Sequence, residues 1–179
     1  MEVKNLATQI LLTQLKAAHA VLESTMDGVT TEVAHFMPPG KANPISGTYA
    51  HIVFSEDLFV QSFLRGVKPL MESDFKDKTG ASAVQPTDWE NEYPRWLREV
   101  HLDMDKFQEY TKAVFAESEK YVESLTDEDL EKEIDMSSFG MGSKKAYDFI
   151  ANLISGHTYS IAGEIAVLKG IQGLKGYPF

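Results

Sequence analysis

One apolar stripe constrains this chain more than any other feature. Leu97, Val100, Met104, Phe107, Val114, Tyr121 and Leu125 recur at spacings of three, four and seven, the period of one face of an α-helix. A long amphipathic helix from about Pro94 to Ser124 is predicted. Three further stretches follow the same rule. A first helix is expected from Val3 to Met26 on Leu11, Leu15, Ala18 and Leu22, with Gly28 at the stop. A second opens at Asn43-Pro44, where Asn can cap and Pro suits the first turn, and ends at Gly66. Tyr49, Ile52, Phe59 and Phe63 line one side of it and Phe54 and Leu58 another, so it should be largely buried. The last helix, capped by Ser143, carries Ile150, Ile154, His157, Ile161, Ile165 and Leu168.

The connections are less regular. Residues 67–92, with Pro69, Gly80, Pro86 and the charged run Asp74 to Lys78, read as a long solvated loop. Thr126-Asp127-Glu128-Asp129 has the form of a capping box, with Leu125 and Leu130 as its hydrophobic staple, and predicts a short helix. Met136 to Gly142 is a turn-rich connector, and the tail from Gly170 to Phe179 breaks the last helix. No segment alternates as a strand would, and no internal repeat is present. The expectation is an all-α fold, a four-helix bundle with a short additional helix, as one domain over residues 1–179.

Composition narrows the partners. With 179 residues, 43% of them hydrophobic, the chain can bury a core. Its net charge of -10 repels phosphate backbones and anionic lipid, so neither nucleic acid nor a membrane is an expected partner. No stretch approaches the ~18 apolar residues of a membrane helix. The chain has no cysteine, which excludes disulfides, thiolate metal sites and a protein thiol nucleophile. The start Met-Glu-Val-Lys-Asn lacks the basic and apolar regions of a signal peptide. A cytoplasmic location is expected.

Five histidines are candidates for chemistry: 19, 35, 51, 101 and 157. His35 reads as an exposed loop residue, His19 as the edge of the first helix, and His101 as the flank of the third. His157 interrupts an apolar stripe, and a buried imidazole is costly unless its nitrogens find partners. His51 shares a side of its helix with Phe54 and Leu58, so it too should point inward. A histidine on an apolar face is more often a hydrogen-bonded core residue than a ligand. Two on separate helices of one bundle, however, are what a small metal site requires. Glu164, two turns beyond His157, is too far along the axis, at ~1.5 Å per residue, to bind the same ion.

Two segments carry a resemblance. Leu153-Ile154-Ser155-Gly156-His157-Thr158-Tyr159-Ser160-Ile161-Ala162-Gly163-Glu164-Ile165 resembles the last-helix motif of the DinB family, also called the DinB/YfiT-like metalloenzymes. Tyr49-Ala50-His51-Ile52 resembles that family's ligand position on the second helix, and Leu125 to Leu130 its stretch after the third. The resemblance implies an up-down-down-up bundle, a homodimer and a divalent-metal site of three histidines. Relatives include transferases that use low-molecular-weight thiols. Two ligand positions carry over, onto His51 and His157. Ile161 stands where the family has its next histidine, so an ion such as Ni or Zn would be held weakly or not at all. His101 or Glu56 could replace the missing ligand. The implied role is that of a binding or scaffold protein with a small-molecule ligand. The alternative is a metal-dependent enzyme, either a hydrolase or a low-molecular-weight thiol transferase.

Overall fold

The computed structural model of the chain describes residues 5–179. Asn5 starts the first helix by accepting a hydrogen bond from the Ala7 N–H, and α1 runs Leu6–Met26. The expected start at Val3 lies outside the described residues. Leu11, Leu15, Ala18 and Leu22 are all buried. A short helix, α2 (Thr31–His35), follows and takes in His35, which reads in the sequence as a loop residue, because Thr30 caps it through the Val33 N–H.

The second long helix is α3 (Ile45–Asp57), continued by a π-helical segment, Leu58–Leu64. Pro44, not Asn43, occupies its cap position, and no side chain caps it. Every residue of α3 except His51 is buried. The helix ends as expected at Gly66, whose φ of 68° is left-handed backbone that favours glycine. Residues 67–92 are not the solvated insertion they resemble. Asp57 Oδ1 accepts from the Leu70 N–H, and its Oδ2 accepts from the Met71 N–H and the Tyr110 hydroxyl, all at 2.7–2.9 Å. Met71, Thr79 and Gln85 are buried, and Ala81 pairs with Leu102.

The predicted third helix is two helices, α4 (Tyr93–Glu99) and α5 (Met104–Ser124). Val100 turns extended, and Asp103 restarts the helix by accepting from the Lys106 N–H. Val100, Leu102 and Met104 stay buried through the break, so the apolar period survives where the helix does not. The capping box forms as expected on α6 (Asp127–Leu130). A small hairpin then appears that no alternation announced. Its strands β1 (Glu133–Asp135) and β2 (Ser143–Lys145) are antiparallel with Ile134 opposite Lys144. Ser143 therefore lies in a strand and does not cap the last helix. That helix is built from α7 (Ala146–Asp148), a π-helical segment (Phe149–Gly156) and α8 (His157–Ile171).

α1 and α3 each lie against both α5 and α8, the square of an all-α four-helix bundle. The interior holds two apolar clusters, one with Leu22, Phe54, Phe115 and Ile161, the other with Leu15, Phe59, Val122 and Ile154. The chain passes from one cluster to the other between these residues on each of its four long helical elements. His19, Glu56, Glu119 and His157 fall in those four intervals. A polar layer thus divides the bundle. Among the described residues, no helix is long and apolar enough to cross a membrane.

Candidate functional site

The bundle brings His51 of α3 and His157 of α8 together. Their Nε2 atoms are 3.1 Å apart, and the rings meet at 65° with centroids 4.8 Å apart. On the far side of His51, Nδ1 is hydrogen-bonded to the Tyr93 hydroxyl and lies 3.3 Å from Ser55 Oγ, one turn along α3. Tyr93 is buried at the start of α4 between Trp89, 4.2 Å away, and Trp96, 5.3 Å away. Trp89 also touches Phe139 beside the hairpin, and Phe139 touches Phe63. Trp89 of the long loop, itself against Phe139 beside the hairpin, thus backs the tyrosine that touches His51.

Burial disfavours the charged form of both imidazoles. Burial, and then the neighbouring His157, push His51 down to about 4. Burial also lowers His157, with Glu56 opposing. The Tyr93 hydroxyl is raised by burial. A neutral imidazole offers one lone pair and one N–H, so the pair can bind a cation through nitrogen or a polar group by hydrogen bonds. Two nitrogens bound ~2.0–2.1 Å from a tetrahedral ion stand roughly 3.3 Å apart, close to the observed spacing.

The remaining candidates lie elsewhere. Ile161, one turn beyond His157, is buried in the apolar core. His101 is exposed and stacks on His35 at 4.8 Å. His35 is half-buried, not an exposed loop residue: Nδ1–H donates to Thr31 O at 2.7 Å and Nε2 accepts from the Leu102 N–H at 2.9 Å. Glu164 is exposed. Among the described residues, no three His, Cys, Asp or Glu side chains converge as a metal-ligand group. The donors present fit a borderline divalent ion through two imidazoles and no further.

His19 is the residue that sequence reasoning missed. It is not at an edge but 2% exposed. Nε2 meets Glu56 Oε1 and Nδ1 meets Glu119 Oε1, each at 2.9 Å, and its ring stacks on Phe115 at 3.7 Å. Burial disfavours its charged form, but the two carboxylates outweigh burial and raise it to about 9. Glu56 is therefore committed to His19. The available signal was Glu56 itself, an acid within a helix apolar on most sides, which must find a buried partner.

A family model described as the DinB superfamily matches residues 14–160. A crystal structure of a conserved protein from Enterococcus faecalis has the same fold, with a TM-score of 0.75 at 19% sequence identity, over 92% of this chain and 95% of that one. No curated protein matches the chain.

Proposed function

Because the chain belongs to the DinB superfamily, we propose that it is a binding protein whose site is the His51–His157 pair, a divalent-metal site reduced to two protein ligands. The observation that carries this reading is a contrast one turn wide. His51 and His157 keep their Nε2 atoms 3.1 Å apart, while the position one turn beyond His157 on α8 is the buried aliphatic Ile161. A four-ligand zinc site is worth ~10–16 kcal/mol, roughly 3 kcal/mol per ligand. Losing one ligand weakens binding by about two orders of magnitude. Such a site suits an exchangeable ion better than the firmly held one that metal-dependent hydrolysis or thiol transfer needs. When bound, the ion would supply Lewis acidity and open positions for a donor atom of a small molecule.

Calorimetric titration of Ni or Zn into the tag-free chain tests this. One weakly bound ion per chain is expected, with affinity falling at least tenfold in both His51→Ala and His157→Ala. Binding that neither substitution changes would overturn the assignment.

A further inference from the structure

Among the described residues, the hydrogen-bond partner of the buried Tyr93 hydroxyl is His51 Nδ1. Leaving a buried O–H without an acceptor is costly, which favours donation from Tyr93, and Nδ1 accepts only as an unprotonated nitrogen. The single proton of neutral His51 then sits on Nε2, the atom 3.1 Å from His157 Nε2. His157 accepts there and carries its own proton on Nδ1. The result is a directed chain in which Tyr93 O–H donates to His51 and His51 Nε2–H donates to His157.

We propose that Tyr93 is a positioning residue that closes the histidine pair, holding His51 in the tautomer whose Nε2–H bonds His157, so that any ligand must compete with that bond. An ion at Nε2 needs the other tautomer. The Nε2 proton must pass to solvent and Nδ1 must take one up. Tyr93 must then accept from Nδ1–H, and its own O–H loses its acceptor. In an ordinary orienting role the tyrosine would favour ion binding. Here it stabilises the closed pair and opposes the ion. Ser55 Oγ, 3.3 Å from Nδ1, can accept from Nδ1–H in its place.

Tyr93→Phe keeps the ring between Trp89 and Trp96 and removes only the hydroxyl. Two measurements on the full chain test the proposal, the second resting on the metal-site reading above. Long-range proton–nitrogen NMR spectra of chelator-treated protein should show His51 protonated on Nε2 in the parent and as a mixture of tautomers in Tyr93→Phe. Ni titration should show severalfold tighter binding in Tyr93→Phe than in the parent. An unchanged His51 tautomer, or weaker Ni binding, would overturn the role of Tyr93. If Ni binding proves insensitive to His51→Ala, the metal-site reading fails, and the NMR comparison, which needs no ion, still decides the role of Tyr93.

Discussion

Ile161 is where one side chain separates the observed pair from a complete site. It lies one turn beyond His157, the spacing that lets two imidazoles share an ion, and it is 7% exposed. Ile161→His should tighten Ni or Zn binding at least tenfold, the discounted value of one ligand at roughly 3 kcal/mol. It should also destabilise the ion-free chain by about 2 kcal/mol or more, because a polar ring replaces a buried aliphatic side chain. Added ion should restore the loss by mass action. Calorimetry and thermal melts with and without ion read both effects. A variant that binds no better than the parent would show that residue 161 does not face the pair. Residues of this kind are legible when their neighbours in sequence are their neighbours in space. His157 was, because its stripe is apolar on either side. His19 was not, because Glu56 and Glu119 lie 37 and 100 positions away. Tyr93 was hidden for the same reason, 42 positions from His51.

At the scale of elements, the site depends on how closely α4 docks against α3. A Cβ on Gly47 would stand 1.8 Å from the Leu97 carbonyl oxygen, so only glycine permits the contact. Helix propensity alone favours Gly47→Ala by about 1 kcal/mol. The clash is with backbone, which cannot rotate away, so packing should win with a net loss of about 2 kcal/mol or more. The midpoint of urea unfolding measures it, and a stabilised variant would contradict the docking. Because α4 begins at Tyr93, the same substitution should draw the hydroxyl away from His51. Elements with long apolar periods were legible: α1 and α3 lie where their stripes put them, and α5 covers the stripe from Met104 onward. Features set by tertiary pairing were not. The break at Val100 to Asp103 is held by Ala81 and by the Asp103 cap. The hairpin strands are three residues each, too short to alternate visibly. The long loop is pinned by Asp57, a buried acid more than ten positions upstream of its partners.

The buried histidines give the molecule as a whole a stability that should peak near pH 6.5. Three long helices meet at His19: α1 carries it, α3 supplies Glu56 and α5 supplies Glu119. Its folded pKa of about 9 lies above its unfolded value of about 6.5. Its contribution is therefore fully present below pH 6.5 and is lost as pH rises through 9. The difference amounts to about 3 kcal/mol, since each pKa unit is worth about 1.4 kcal/mol. His51 behaves oppositely. Its folded pKa of about 4 lies below the unfolded value, so the unfolded chain takes up the proton first as pH falls. The stability that His51 contributes as a neutral ring is present above pH 6.5 and is lost by pH 4, again about 3 kcal/mol. His157, lowered by burial, adds in the same direction. Carboxylates also titrate on the acid side, so the comparison must be made against variants. Urea unfolding of the parent and of His19→Gln at pH 6.5 and 9.5 should show their stability difference shrinking by about 3 kcal/mol at the higher pH. The parent and His51→Gln should differ in the opposite sense, the parent losing more between pH 6.5 and 4. A His19→Gln difference independent of pH would mean that the ring is neutral between its two carboxylates, and the charged clamp across α1, α3 and α5 would have to be abandoned.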